Sequence, residues 1–343
     1  MKQLLLTAWR TRGWIARLLW PLGKFHEFLV WLRRLLYLRK LLTTIRFDVP
    51  VIVVGNVVAG GAGKTPLVIA LVRHLLTSGL TVGVVSRGYA RSGRYSLEVT
   101  PDTSVQHSGD EPALIRRKTD APVFVSHRRT DAVRDLLAAY PATSVVVCDD
   151  GLQHYALQRD IEIVVFDDSG VGNGWLMPAG PLREPWPNRQ FQGVDLVLHT
   201  GCKPAFEGFS SSRQLAIHAL AADGRQVFLA NLAHYPVVAI AGIAHPDNFF
   251  DMLRANGLNL KQTLAWPDHH IFKVSDLAAL AGQTVLCTEK DAVKLFALRG
   301  LDGLDLLAVP LKFTPEPAFF DALDALLTPL ISKLPSRHGH ETY

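Results

Sequence analysis

One segment decides the fold class of this chain: Gly55-Asn56-Val57-Val58-Ala59-Gly60-Gly61-Ala62-Gly63-Lys64-Thr65-Pro66. An apolar, β-branched run at 51–54 precedes it, and an apolar stretch at 67–72 follows it. A buried strand, a glycine-rich loop and a helix in this order predict a phosphate-binding loop.

Each residue type in this loop has a physical task. The glycines let the backbone N–H groups and the helix N-terminus point at phosphates; they are Gly60, Gly61 and Gly63. Lys64 is expected to contact the β- and γ-phosphates, and Thr65 to offer its hydroxyl to Mg²⁺. Val58 stands where the standard pattern has glycine. The alternative is a plain glycine-rich turn, which Gly-Lys-Thr after a buried strand disfavours.

Composition indicates an ordered globular protein. The chain has 343 residues, of which 48% are hydrophobic and 20% charged, and this length predicts two domains. The three cysteines lie far apart and form no Cys-x-x-Cys pair. We therefore expect neither a disulfide framework nor a zinc ribbon, and a reducing compartment.

The positive charge is concentrated at the amino terminus. Residues 1–46 hold ten Lys and Arg residues against one acidic residue, Glu27, so the remainder is net negative. A nucleic-acid-binding body would be expected to keep a basic face, so we expect no nucleic-acid partner. Within 1–46, Leu, Trp and Phe recur at helical spacing, and Pro21 predicts a break between two helices.

This basic, apolar arm is typical of a helix that lies on a membrane surface. No uncharged apolar run reaches the roughly 18 residues that a bilayer span needs, and the arginines interrupt any signal-peptide core. The pattern favours a peripheral arm on an anionic membrane surface. A helical hairpin packed on the protein's own core, or on a partner, remains the alternative.

Strand and helix patterns alternate along the rest of the chain. They predict an α/β fold: a mostly parallel, P-loop NTPase-like sheet with helices on both faces, a smaller C-terminal α/β domain and an N-terminal amphipathic helical arm. The predicted units are the arm (1–46), the kinase-type core (47–212), a two-stranded linker (213–232), the smaller domain (233–332) and a tail (333–343).

Several polar residues follow the P-loop at positions suited to chemistry. Asp149 and Asp150 end an apolar strand, where a carboxylate completes a Mg²⁺ shell, although a helix cap or turn is the alternative. Arg183 and Glu184 lie in a proline-rich loop that could hold an arginine on phosphate and a carboxylate near the metal.

A second cluster lies at Asp268-His269-His270. Adjacent histidines do not face one ion well and no cysteine is near, so a general base fits better than a zinc site. Taken alone, a surface histidine pair is more often inert, and Asp110 alone reads as the acidic first residue of a helix.

The motifs together resemble those of the tetraacyldisaccharide 4′-kinase family. They cover nearly the whole chain in order: Gly55-Asn56 with Gly60-Gly61-x-Gly63-Lys64-Thr65-Pro66, Ser86-Arg87-Gly88-Tyr89, Gly109-Asp110-Glu111-Pro112, Asp149-Asp150-Gly151-Leu152-Gln153-His154, Pro178-x-Gly180-x-Leu182-Arg183-Glu184, Asp268-His269-His270 and Thr288-Glu289-Lys290-Asp291. The shifted glycines of the loop are also similar to the family's loop.

The resemblance implies an ATP- and Mg²⁺-dependent lipid kinase. It would phosphorylate the 4′-hydroxyl of a tetraacylated glucosamine disaccharide 1-phosphate in lipopolysaccharide biosynthesis. The location would be the cytoplasmic face of the bacterial inner membrane, with no obligate protein partner.

The resemblance also implies residue roles. His269 would accept the sugar hydroxyl proton, Asp110 would orient the imidazole or share the proton, and Lys64 would act on the phosphates. The nucleotide would bind Gly60, Gly61, Gly63, Lys64, Thr65 and Arg183. The metal would bind Thr65, Asp149, Asp150 and Glu184, and His270 would lie behind His269.

Two other functions stay open on the residues alone. A membrane-attached regulatory ATPase also combines a P-loop with an amphipathic helix, but its usual lysine before the double glycine is Ala59 here. A soluble small-molecule kinase or ligase leaves the basic arm unexplained. With His269 in the smaller domain and the P-loop in the larger one, the kinase prediction requires a closing cleft between them.

Overall fold

The structure is a computed structural model that describes residues 7–89, 91–93, 95–187, 194–301 and 303–333. These residues form two lobes, each built around its own sheet. Residues 1–6 of the predicted arm and 334–343 of the predicted tail lie outside the described residues.

The first lobe contains a seven-stranded sheet in the order β3-β4-β2-β5-β1-β6-β7. Its strands are β1 (Val51–Gly55), β2 (Val82–Ser86), β3 (Leu97–Val99), β4 (Val123–Val125), β5 (Val145–Asp149), β6 (Ile161–Phe166) and β7 (Val194–His199). All pairs are parallel except β3 with β4. The valine-rich runs of β1 and β5 are buried throughout, as strands covered on both faces require.

Helices cover both faces of this sheet. They are α2 (Lys64–Thr77), α3 (Val105–Ser108), α4 (Asp110–Thr119) and α5 (Arg129–Ala139). Leu71 of α2 and Ile115 of α4 share one core, and Leu136 of α5 belongs to the core on the other face. The predicted P-loop type α/β fold is confirmed.

The second lobe has a six-stranded sheet in the order β10-β9-β14-β13-β11-β12. Its strands are β9 (His218–Leu220), β10 (Gln226–Phe228), β11 (Val237–Ala241), β12 (Leu260–Ala265), β13 (Thr284–Thr288) and β14 (Asp305–Val309). Its helices are α6 (Leu229–Leu232), α7 (Pro246–Ala255), α8 (Val274–Leu277) followed by a 3₁₀ turn (Ala278–Leu280), and α9 (Glu289–Leu295).

The link between the lobes differs from the predicted linker at 213–232. The hairpin β9–β10 forms, but β9 also pairs with β14, so both strands belong to the second sheet. The link is instead β8 (Ser211–Leu215), which pairs antiparallel with β15 (Leu311–Pro315). The prediction was wrong because a hairpin pattern identifies the local pair and not the sheet that it joins.

The last helix, α10 (Pro317–Ile331), returns to the first lobe. Phe319, Leu323 and Leu327 form its apolar stripe and are buried in the same core as α2. Asp324 accepts a hydrogen bond from His74 Nε2 of α2 at 2.9 Å. The final part of the predicted smaller domain, 233–332, therefore packs as part of the first lobe.

The amino-terminal arm contains one continuous helix, α1 (Trp14–Leu38), with Pro21 inside it. The predicted break at Pro21 is therefore wrong. Ala16 and Gly23, on either side of the proline, are both buried, and Gly23 packs against Ala179. This packing keeps the helix continuous although Pro21 lacks a backbone N–H. No helix in the described ranges has the length and apolar character that crossing a membrane requires.

The packing of α2 predicts that two of its leucines contribute differently to the free energy of unfolding. Leu71→Ala removes a fully buried side chain and should lower the free energy of unfolding by about 2–5 kcal/mol. Leu76→Ala, on the same helix but 37% exposed, should cost less than about 1 kcal/mol. Urea unfolding of both variants measures the difference, and equal losses would contradict this packing.

Candidate active site

The phosphate-binding loop (residues 56–63) lies between β1 and α2. Gly60 and Gly63 have φ angles of 131° and 80°, which a residue with a side chain rarely adopts. Lys64, the first residue of α2, donates from Nζ to Asn56 Oδ1 at 3.0 Å and lies 3.2 Å from Asp150 Oδ1. The predicted loop residues therefore surround one site at the N-terminus of α2.

The position of Val58 has a structural reason. Val58 forms an antiparallel bridge with Leu182, Ala59 N–H donates to the Pro181 carbonyl at 2.8 Å, and Arg183 N–H donates to the Val57 carbonyl at 2.7 Å. The first half of the loop is thus extended and needs no glycine. The glycines are required only in the second half, where the chain curls.

Asn56 is a loop residue to which sequence reasoning gave no role. Its side chain is fully buried, and Nδ2 donates to the carbonyls of Val58 at 2.6 Å and Gly60 at 3.3 Å. Its Oδ1 accepts from Lys64. Asn56 therefore holds the curl of the loop and the lysine together, and its only sequence signal was its place at the start of the motif.

Asp149 and Asp150 end β5 beside this loop, as predicted. Asp149 is buried; Oδ2 accepts from Ser86 Oγ at 3.2 Å, and Oδ1 has no hydrogen-bond partner. Burial, with the charges of Asp150 and Glu111, raises the pKa of Asp149 to about 7. Burial acts in the same direction on Asp150, but Lys64 and then Arg183 outweigh it and lower its pKa.

These carboxylates suit a magnesium ion that arrives with nucleotide. No set of three or more His, Cys, Asp or Glu side chains that could hold a metal occurs among the described residues. Mg²⁺, however, is usually held by one or two carboxylates, water and substrate phosphates. The unpartnered, buried Oδ1 of Asp149 fits such a ligand, and Asp150 and Thr65 lie at the same edge of the sheet.

Arg183 and Glu184 have different surroundings. Arg183 Nη1 lies 3.5 Å from Asp150 Oδ1, so its guanidinium faces the loop. Glu184 is buried and faces α1: Oε1 accepts from Gln153 Nε2 at 2.7 Å, while Oε2 accepts from Tyr155 OH and from Arg34 Nη2. Both its oxygens are used by protein donors, so the geometry does not support Glu184 as a metal ligand.

Asp110 and His269 meet across the two lobes. Asp110 begins α4, and the preceding Gly109 has a φ of 88° and packs closely on Gly88. His269, with a φ of 62°, places Nδ1 3.3 Å from Asp110 Oδ2. The structure therefore brings together two predicted residues that are separated by 159 positions.

Two lysines of α9 complete this pair, and neither was assigned a role from sequence. Lys294 Nζ donates to Asp110 Oδ2 at 2.9 Å, and Lys290 Nζ donates to Glu111 at 2.7 Å and Asp268 at 3.0 Å. Burial acts to raise the pKa of Asp110, but hydrogen bonds from His269 and Lys294 outweigh it, and the pKa is lowered.

Among the described residues, the groups that lie closest to the second ring nitrogen of His269 in charge pairs are two carboxylates. Nε2 lies 3.6 Å from Glu111 Oε1 and 3.7 Å from Asp268 Oδ2. The pKa of His269 is raised, first by the hydrogen bond to Asp110; burial and Lys290 oppose the rise, and Glu111 and Asp268 add to it.

The neighbours of His269 include one further aromatic residue. The Tyr89 ring lies 4.8 Å from the imidazole, centroid to centroid, and is 58% exposed. His270 instead directs Nε2 to Asp276 Oδ2 at 3.0 Å, within its own lobe, and stacks on Trp266. The hydrogen bond and the stacking of His270 are thus made within the second lobe and not with Asp110.

Comparison with known proteins identifies the family. The family described as "Tetraacyldisaccharide-1-P 4'-kinase" (LpxK) matches residues 15–328. The chain belongs to this family. It is 73% identical to the tetraacyldisaccharide 4′-kinase of Polaromonas naphthalenivorans over 100% of both chains, and 52% identical to that of Acidovorax sp. strain JS42 over 95% of this chain and 94% of the relative.

A solved structure agrees with these relatives. LpxK from Aquifex aeolicus, crystallised in an "apo" form in complex with ATP, matches with a TM-score of 0.76 and 27% identity. The match covers 92% of this chain and 99% of that one. The predicted tetraacyldisaccharide 4′-kinase family and the predicted enzyme class, a kinase, are confirmed.

The geometry of the His269–Asp110 pair predicts a directional change in titration. In the wild type the pKa of His269 should lie above its ordinary value of 6.5, because Asp110 stabilises the imidazolium. Asp110→Asn should lower it. NMR titration of the histidine ring carbons measures both. His245, whose pKa is raised by Asp167 instead, should titrate identically in both proteins; an unchanged His269 titration in the variant would contradict the pairing.

Proposed function

We propose that this tetraacyldisaccharide 4′-kinase transfers the γ-phosphate of ATP to the 4′-hydroxyl of a tetraacylated glucosamine disaccharide 1-phosphate. The products would be ADP and the 4′-phosphorylated lipid A precursor. One observation carries the assignment of the site: the histidine–carboxylate pair from the two lobes lies beside the segment that follows β2, where Gly109 packs on Gly88, and Ser86 at the end of that strand bonds to Asp149 next to the P-loop.

The donor side of the reaction would use residues of the first lobe. Backbone N–H groups of the loop at Gly60, Gly61 and Gly63 bind phosphate oxygens, and Lys64 and Arg183 supply positive charge. Mg²⁺, held by Thr65, Asp149 and Asp150, would neutralise charge on the β- and γ-phosphates. Asp150 Oδ1 lies 3.2 Å from Lys64 Nζ and 3.5 Å from Arg183 Nη1, so it holds both cations beside the loop.

The acceptor side would use the His269–Asp110 pair. With its Nδ1–H donated to Asp110, the imidazole keeps a lone pair on Nε2. Nε2 takes the proton of the 4′-hydroxyl as the sugar oxygen bonds to the γ-phosphorus and the bond from γ-phosphorus to the leaving ADP oxygen breaks. The new Nε2–H then faces the carboxylates of Glu111 and Asp268, which stabilise the imidazolium.

Ion pairs between α4 and α9 hold the two sides together. They are Asp110–Lys294, Glu111–Lys290 and Lys118–Glu289. Each pair joins the first lobe to the second. In this closed arrangement the base lies near the phosphate site and water access is reduced, which favours transfer to the sugar over hydrolysis.

Label transfer from [γ-³²P]ATP to a purified acylated disaccharide 1-phosphate tests the function. His269→Ala should lower kcat about 100- to 10,000-fold, and adding Asp110→Asn should lower it little further, because the two residues act as a unit. In the wild type, activity should fall as pH drops through the raised pKa of His269, because the base must be neutral.

His270→Ala is the matched control, because this neighbour contacts Asp276 and should leave kcat nearly unchanged. ATP hydrolysis without label on the lipid would contradict the kinase proposal. Unchanged turnover in His269→Ala would contradict only the assignment of the base.

The location of the enzyme would follow from α1. Its outward face exposes large apolar side chains, including Trp14, Leu18, Phe25 and Phe28, at 75, 71, 60 and 51%. Its other face packs on the first lobe. We propose that the exposed face enters the cytoplasmic surface of the bacterial inner membrane, with the basic residues of the arm contacting anionic headgroups. An apolar face of this size also agrees with an acylated substrate.

Vesicle sedimentation tests this location. Replacing Leu18, Phe25 and Phe28 with Gln should weaken binding to vesicles that contain anionic lipid by more than about tenfold, since each buried side chain contributes about 1.5–3 kcal/mol. The control replaces Ile217 and Ile271, which are 72 and 74% exposed on the second lobe, and should bind as the wild type does. Equal binding by all three proteins would contradict attachment through α1.

A further inference from the structure

Arg213 is a cationic residue beside the phosphate-binding loop that the mechanism above does not use. It lies on β8, the strand that links the lobes. Its guanidinium lies so close to Gly63 that a side chain at that glycine would overlap Nη2. Gly63 precedes Lys64 at the N-terminus of α2, where backbone N–H groups point toward phosphate.

Among the described residues, the half-buried guanidinium of Arg213 has few polar partners. Its Nε is buried without a hydrogen-bond partner, and within the described residues no carboxylate forms an ion pair with it. Its Cζ also lies 6.0 Å from the centroid of the Phe313 ring. Burial lowers its pKa, and the more distant charges of Asp167 and Asp168 act against that change.

The two nearby carboxylates are already bonded elsewhere. Asp167 accepts from the Ser169 N–H at 2.9 Å, and its other oxygen lies 3.5 Å from His245 Nε2. Asp168 accepts from the Lys203 N–H at 2.6 Å. The chain thus places a half-buried cation at the loop and, among the described residues, leaves it without a direct counter-ion, although withdrawing a charge from water is costly unless an anion pairs with it.

We propose that Arg213 is a nucleotide-binding residue whose guanidinium pairs with the polyphosphate chain of ATP at the end of the phosphate-binding loop. This proposal deepens the proposed function. It rests on that function in one respect, which is that ATP binds at the loop. Arginine suits the task because its planar donor groups match phosphate oxygens. Since Arg213 belongs to the β8–β15 link, bound nucleotide would also contact the segment that connects the lobes.

Nucleotide binding in the absence of lipid tests the proposal. Calorimetry with ATP and with adenosine, which lacks phosphates, would compare wild type, Arg213→Met and Arg213→Lys. The matched control is Lys312→Met, which removes an exposed cation from β15, opposite Gln214 in the same two-stranded sheet. Arg213→Met should raise the Kd for ATP about 10- to 100-fold and that for adenosine less than about twofold. Arg213→Lys should be intermediate, and Lys312→Met should match the wild type.

Unfolding of the ligand-free proteins separates binding from folding. Because the guanidinium has no counter-ion to lose, Arg213→Met should keep the midpoint of the wild type or exceed it. If Arg213→Met binds ATP with the same Kd as Lys312→Met, the proposal is overturned. It is also overturned if Arg213→Met loses as much affinity for adenosine as for ATP and its unfolding midpoint is lowered. The wild-type protein could fail to label lipid while Arg213→Met still loses affinity for ATP and not for adenosine. That result would contradict the proposed acceptor and leave the proposal for Arg213 intact.

Discussion

The charge pairing between α4 and α9 is the constraint on which the arrangement of the site depends. His269 belongs to one lobe and Asp110 to the other, so neither chain segment alone can fix their distance. Lys294 and Lys290 close that gap by bonding to adjacent carboxylates at the start of α4. Buried ion pairs contribute little net stability because desolvation offsets the attraction. Their effect here is geometric: they determine where the imidazole lies.

The same pairs also affect the charge around His269. Three carboxylates lie near His269, and without the two lysines they would strongly favour the imidazolium. Lys290 acts against that effect on the pKa of His269, and Lys294 pairs with Asp110. Nε2 lies beside Glu111 and Asp268, whose charges add to the rise in the pKa of His269. The contacts that hold the two lobes together therefore also affect the titration of His269.

Sequence patterns predicted the parts of this molecule that are set locally. The strand, loop and helix around Lys64 and the carboxylates after β5 follow from local residue order. The pairing of Asp110 with His269 was predicted from the family resemblance. It does not follow from local residue order, because no local pattern spans 159 positions. The errors share this cause. The return of α10 and the surroundings of Glu184 depend on distant partners, while the continuity of α1 through Pro21 depends on packing against residues near Ala179.

Glu184 connects two features that the sequence presented separately. Its carboxylate binds Arg34, 150 positions earlier on α1, and its chain neighbour Arg183 faces Asp150 beside the phosphate-binding loop. The helix with the exposed apolar face is therefore bonded to the segment that supplies a phosphate-site arginine. Separating α1 from the first lobe would leave a buried carboxylate without its cation, which is costly. The exposed apolar face of α1 and the phosphate-binding loop are thereby held in one rigid relation.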